Sequence, residues 1–167
     1  MDIRPLTDTD VEVISPAFAA AGWPGKPGEQ YRRYLREQAD GRRLILVALD
    51  EGTFAGYLTV LWDSGYPPFR ERDIPEIQDL NVLPGFRRRG IGTALMDAAE
   101  KAIAERSDTA GIGVGLYTDY GSAQRMYARR GYIPDGRGVT YRGVVVRPGE
   151  TVPVDDDLVL MMTLRLT

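Results

Sequence analysis

Neither histidine nor cysteine occurs among the 167 residues. Their absence excludes Ser-His-Asp and Cys-His nucleophile pairs, imidazole bases, thiolate metal sites, thiol redox chemistry and disulfides. Proton transfer is left to Asp, Glu, Tyr, Lys, an amino terminus or water. Lysine is scarce as well: of 21 basic residues only Lys26 and Lys101 are not Arg. That skew fits planar anion recognition and fits a compositional bias equally. No apolar run approaches the roughly 18 to 20 residues of a membrane span. The amino-terminal residues Asp2, Arg4, Asp8 and Asp10 are unlike a secretory signal. A cytoplasmic protein with no membrane partner is the expectation. With 21 basic and 24 acidic residues the net charge is -3, which argues against an electrostatic nucleic-acid binder.

The length suits one domain over residues 1–167, and 43% hydrophobic residues suit a globular core. Asp2 to Leu6 reads as a strand, and Thr7 with Asp10 as a capped start of a helix through Val11 to Ala21, kinked by Pro16. Gly22 to Gly28 reads as a loop and Gln30 to Asp40 as a helix. Arg43 to Leu49 and Thr53 to Trp62 flank the turn Asp50-Glu51-Gly52, a hairpin signal. Ser64 to Pro75 reads as a long loop and Glu76 to Leu83 as a strand. Ile91, Ala94, Leu95, Ala98, Ala99, Ala102 and Ile103 form one helical stripe. Gly111 to Tyr117 reads as a strand, Ser122 to Arg130 as a helix capped by Gly131, Tyr132 to Pro134 as the start of a strand, and Leu158 to Leu166 as a half-buried last strand. Gly138 to Asp157 reads as a loop. Strands and helices interleave around a central hairpin, so the expected fold is α/β with a mixed sheet.

The stretch from Val82 through Pro84-Gly85 and Arg87-Arg88-Arg89 to Gly90-Ile91-Gly92-Thr93 runs from a strand into the strongest helix. The first N–H groups of a helix lack internal partners and sit at the positive end of its dipole, where a pyrophosphate binds well. Gly90 and Gly92 present no side chain there, and three arginines add charge. On helix-end physics alone a solvated basic turn explains the same residues. A Walker loop is excluded because no Gly-Lys-Ser/Thr occurs. Gly90-x-Gly92 and Gly111-x-Gly113 lack the third glycine of a dinucleotide fingerprint, since Leu95 and Leu116 stand in its place.

Arg87-x-x-Gly90-x-Gly92, following Leu80-Asn81-Val82 and heading an amphipathic helix, resembles the acyl-CoA pyrophosphate motif of the GNAT superfamily of N-acyltransferases. Ala123-x-x-x-Tyr127-x-x-x-Gly131-Tyr132 is similar to a second block of that superfamily. The resemblance implies a single-domain, mostly antiparallel sheet with splayed central strands, Glu76 to Leu83 and Gly111 to Tyr117, flanked by helices. It implies acetyl-CoA as acyl donor, bound by Leu80, Val82, Arg87, Arg88, Arg89, Gly90, Ile91, Gly92 and Thr93, with no metal. It also implies a direct acetyl transfer to a primary amine, and leaves room for a homodimer.

Under that resemblance the Val82 N–H is the candidate for polarising the thioester carbonyl, against an ordinary ladder bond. Tyr127 sits where the superfamily commonly places the tyrosine that protonates the departing thiolate. A buried packing tyrosine is the competing reading, and Tyr117 and Tyr120 are alternates. Glu76, fourteen residues before Gly90, matches the catalytic glutamate of some members and is the candidate base, though strand-end carboxylates also serve solubility. Alternation groups Glu76 with Gln78 and Leu80 on one face and Asp79 with Asn81 on the other. Tyr120 stands where the superfamily often has Asn, so that contact is not carried over. The loops bearing Trp23, Tyr66 and Phe69, with Asp63, Glu71, Asp73 and Asp155 to Asp157, are candidate contacts for a small cationic amine. A non-catalytic acyl-CoA-binding or sensory module, and a nucleic-acid site at Arg87 to Arg89 and Arg129-Arg130, are the rival readings.

Overall fold

The computed structural model of the protein describes residues 1–23 and 26–167; Pro24 and Gly25, in the first expected loop, lie outside the described residues. Among the described residues eight strands and five helices make an α/β fold whose strand pairs are mostly antiparallel. The chain divides into two compact units, residues 1–62 with 77–102 and residues 63–76 with 103–167.

In the first unit the strands lie in the order β1 (Asp2–Pro5), β2 (Arg43–Asp50), β3 (Thr53–Leu61), β4 (Glu76–Val82). The pairs β1–β2 and β2–β3 are antiparallel, and β2–β3 is the expected hairpin. Helix α1 (Asp8–Ala20) starts where Thr7 and Asp10 form a capping box, the Thr7 N–H donating to the Asp10 carboxylate at 2.7 Å. It carries Pro16 inside it, and α2 (Gly28–Ala39) follows. Phe18 and Tyr31 from these helices meet Tyr57 of β3 edge to face, at ring separations of 5.9 and 5.4 Å. Such fully buried rings each stabilise the unit by roughly 1.5 to 3 kcal/mol. Helix α4 (Ile91–Ala104) buries Ile91, Leu95, Met96, Ala99 and Ile103, so the stripe seen in the sequence is its inner face, with Met96 added.

In the second unit the order is β5 (Thr109–Gly115), β8 (Leu158–Arg165), β6 (Ile133–Tyr141), β7 (Val144–Val145), and β5–β8, β8–β6 and β6–β7 are antiparallel. The segment Gly138 to Asp157, expected to be a loop, opens with a short hairpin, since β6 runs on to Tyr141 and returns as β7, and is loop from residue 146 to Asp157. The Ser64 to Pro75 loop contains a one-turn helix, α3 (Pro67–Arg70), and Tyr66 and Phe69 are buried with Ile74 and Met161. These two aromatics therefore pack a core and are unavailable as substrate contacts. Glycines at alternate positions of β5 explain how they fit. A Cβ at Gly111 would lie 2.3 Å from the Phe69 ring, and one at Gly115 would lie 2.3 Å from the Tyr120 ring. Helix α5 (Gly121–Arg130) ends at Gly131, whose φ of 100° is the left-handed cap expected of it.

Candidate active site

In the first unit, β4 leads through a short 3-10 turn at Pro84–Phe86 into α4. The turn is anchored by the Leu83 N–H, which donates to the Ala55 carbonyl at 2.9 Å. Arg88 (φ 61°) and Gly90 (φ 79°) both take left-handed backbone, which swings the chain into the helix. A Cβ at Gly90 would meet nothing within 4 Å, so glycine is required there for its dihedral, and the approach to the helix start is open. The first bond of the helix ladder is the Ala94 N–H to the Gly90 carbonyl at 3.0 Å. The amides of Ile91, Gly92 and Thr93 precede that bond, at the positive end of the dipole.

The three arginines differ. Arg87 donates from Nε to the Val82 carbonyl at 3.3 Å and stacks its guanidinium over the Trp23 ring at 5.1 Å. Arg89 pairs with Asp50 at 3.0 Å and covers Phe86. Arg88 is exposed and has no ion pair among the described residues. An open helix start, a glycine-framed turn and one uncommitted guanidinium fit a pyrophosphate. Ile91 is buried, Gly92 half-buried and Thr93 exposed, so this helix end has both an anchored and an accessible side.

Strand β4 departs from strict alternation. Asp79 adopts φ 54°, a left-handed conformation that costs a non-glycine residue on the order of 1 kcal/mol. As a result Gln78 and Asp79, neighbours in sequence, reach one cluster. Arg43 Nη1 donates to Gln78 Oε1 at 3.1 Å, the Tyr34 hydroxyl donates to Asp79, and the Arg43 guanidinium lies 4.5 Å from the centre of the Tyr34 ring. The left-handed backbone of Asp79 interrupts the strict alternation that set it opposite Gln78. Leu80 and Val82, beyond Asp79, are half-buried.

In the second unit, the Glu76 side chain is buried, at 8% exposure, and its Oε1 accepts a hydrogen bond from Ser64 Oγ at 2.8 Å. Ser64 Oγ in turn accepts from the Tyr66 N–H at 3.0 Å, which fixes the hydroxyl's orientation. Burial and a bonded partner separate Glu76 from a merely solubilising carboxylate. Tyr127 is 5% exposed, 6.0 Å from the Tyr132 ring, and burial pushes its phenol up to about 12. Its hydroxyl makes no hydrogen bond within the described protein. Among the described residues no fully buried side-chain polar atom lacks a partner, so that hydroxyl is not completely sealed from solvent. The packing and acid readings of Tyr127 are thus compatible, the ring serving one and the hydroxyl being free for the other.

Tyr120 takes the place of an Asn by laying its ring over Gly115 and donating to Asp156 at 2.8 Å. Tyr117 also donates to Asp156, and Tyr141 to Asp155 at 2.8 Å, while Arg142 pairs with Asp157 at 3.2 Å. The Asp155–Asp157 turn is consequently tied down by its own unit, and Tyr117 and Tyr120 are committed phenols. No spacing rule marked Asp79, Ser64 or Tyr34 in the sequence; Gly111-x-Gly113-x-Gly115 was the visible sign of close packing on β5.

The profile of the Acetyltransferase (GNAT) family matches residues 11–132. An uncharacterized N-acetyltransferase of Archaeoglobus fulgidus is 35% identical over 100 residues, which are 59% of this chain and 63% of that protein. The ribosomal-protein-alanine N-acetyltransferase of Brucella melitensis shares the fold with a TM-score of 0.71 at 19% identity, over 99% of this chain and 100% of that one. So does yncA of Salmonella typhimurium, solved with its cofactor acetyl-CoA, with a TM-score of 0.68 at 18% identity over 99% and 94% of the two chains. No helix among the described residues is long and apolar enough to cross a membrane. With the family profile spanning most of the chain, the protein belongs to the GNAT acetyltransferase family.

Proposed function

We propose that the protein is an acetyl-CoA-dependent N-acetyltransferase. It works as one catalytic domain in the cytoplasm and acetylates a primary amine of a small cationic molecule by direct transfer in a ternary complex. The observation that carries this reading is the turn from β4 into α4, with left-handed Arg88 and Gly90 opening the start of α4 in a chain of this family. Arg87 to Thr93 hold the pyrophosphate of acetyl-CoA, and the backbone at Leu80 and Val82 holds its arm. Bound acetyl-CoA supplies an activated acetyl group as a thioester.

Two side chains handle protons. Glu76 accepts the proton that the acceptor's ammonium must lose, with Ser64 fixing the carboxylate's rotamer through the bond at 2.8 Å. Tyr127 gives a proton to the leaving sulfur. A phenol at about 12 is protonated at neutral pH, and burial raises phenol and thiol alike because both are charged only when deprotonated. Burial therefore shifts the two basicities in the same direction. Thiol release from acetyl-CoA, measured with and without a panel of primary amines, tests the proposal. Amine-dependent release supports it; tight acetyl-CoA binding without release on any amine identifies a binding or sensory module instead.

A further inference from the structure

Tyr34 reaches from α2 to β4, and its geometry leaves it little freedom. Its ring is buried, packs edge to face on Tyr31 at 6.1 Å, and carries the guanidinium groups of Arg33 and Arg43 at 5.3 and 4.5 Å from its centre. Its hydroxyl accepts from the Gln30 side-chain amide at 3.2 Å and donates to the Asp79 carboxylate. Burial, and after it the charge and bond of Asp79, push the phenol above its ordinary value, so it remains a donor at neutral pH. The residue it grips is the left-handed one of β4, at φ 54°. The preceding residue, Gln78, is gripped as well, by an Arg43 that Glu37 at 2.6 Å and Thr59 at 2.8 Å hold in place. A hydrogen bond to a charged group is comparable in size with the cost of one left-handed residue. The Tyr34 bond is therefore large enough to decide between left-handed and extended backbone at Asp79. That choice sets the near end of the segment Leu80 to Val82, whose far end is pinned where the Leu83 N–H donates to the Ala55 carbonyl at 2.9 Å.

We propose that Tyr34 positions the acetyl-CoA-binding stretch of β4 by holding the Asp79 backbone left-handed. This rests on the reading in which the backbone at Leu80 and Val82 holds the arm of acetyl-CoA. Tyr34 is a positioning residue, since it acts through Asp79. Cofactor affinity then scales with the fraction of molecules in which Asp79 is left-handed.

The test is calorimetric titration of acetyl-CoA into the parent, Tyr34→Phe, Asp79→Ala, Asp79→Gly and the double variant Tyr34→Phe/Asp79→Gly. Tyr34→Phe removes the hydroxyl and keeps the ring, and should weaken binding about fivefold or more. Asp79→Ala, which disfavours left-handed backbone, should lose at least as much. Asp79→Gly also lacks the carboxylate but takes φ 54° without strain, so it should bind within about threefold of the parent. In the Asp79→Gly background Tyr34→Phe should have no further effect, whereas a mere packing role for Tyr34 costs the same in both backgrounds. Unchanged affinity in folded Tyr34→Phe, or an equal loss in both backgrounds, overturns the inference. Should Tyr34→Phe fail to fold, Asp79→Ala and Asp79→Gly decide: a loss in the first that the second escapes sustains the inference, and equal affinities overturn it. A parent that does not bind acetyl-CoA removes the cofactor reading and the inference with it. Binding that depends on Tyr34 as described, with no amine acetylated, leaves the inference standing and removes the proposed activity.

Discussion

A Cβ on Gly56 would lie 2.4 Å from the carbonyl oxygen of Asn81. The contact is with backbone, so nothing flexible is able to give way, and β3 and β4 approach this closely only because residue 56 is glycine. Gly56→Ala should shift β4 at Asn81–Val82 and destabilise the protein by about 1 to 3 kcal/mol, the usual cost of overpacking. Urea denaturation measures that loss, and acetyl-CoA calorimetry should show weaker binding than the stability change explains.

Gly90 and Gly92 should respond differently. Gly90→Ala meets no neighbour but must hold φ 79°, so it should cost about 1 kcal/mol of stability. Gly92→Val places a branched side chain at the helix start and should weaken acetyl-CoA binding while the fold persists. Thermal melting paired with calorimetry separates the two outcomes; unchanged affinity in folded Gly92→Val contradicts the cradle.

Tyr127→Phe should lower kcat on the order of a hundredfold with little change in acetyl-CoA affinity, because the phenol is needed only as the sulfur departs. With its phenol near 12, turnover of the parent should show no alkaline decline from Tyr127 across pH 7 to about 10. A parallel loss of affinity and stability, with turnover per bound cofactor intact, would identify a packing role alone. Glu76→Gln should lower turnover at neutral pH and recover partly at high pH, where free amine accumulates; a pH profile identical to the parent's removes Glu76 as base.

Acid stability has a specific source. Burial by itself would raise the Asp10 carboxyl, but hydrogen bonds from Arg4 at 2.7 and 3.0 Å and from Thr7 at 2.7 Å outweigh it and hold Asp10 below the usual carboxylate range. A carboxyl depressed in the folded state stabilises above its unfolded value, and the contribution is lost as pH falls through the folded value. Asp10→Asn should therefore narrow the stability difference between pH 7 and about pH 3. Denaturation midpoints at both pH values check this, and an unchanged difference would contradict it.

Local rules reached the elements whose residues are periodic or whose caps are side chains. The stripe from Ile91 to Ile103, the Thr7–Asp10 cap and the Gly131 stop appear in the structure as the sequence spells them. The β6–β7 hairpin was hidden because Gly136, Gly138 and Gly143 look like loop residues, whereas their positive φ values serve bends within and between paired strands. The left-handed backbone of Arg88 and Asp79 carries no glycine to mark it in the sequence. Tyr66 and Phe69 looked like exposed loop aromatics because the glycine of β5 that admits Phe69 lies about forty residues away in sequence. At the site, the Arg-Gly turn was legible as chemistry, while the Ser64–Glu76 and Tyr34–Asp79 bonds join segments that no spacing rule connects.

Acetyl transfer to nitrogen is read from the mass of the product. The protein is incubated with acetyl-CoA and a library of small cationic amines, and the amines are analysed by mass spectrometry against a no-enzyme control. One or more amines gaining a single acetyl group, in parallel with free coenzyme A and not in Tyr127→Phe at comparable rate, is the predicted result. Acetyl-CoA that binds yet is recovered intact, with every amine unmodified, would contradict it.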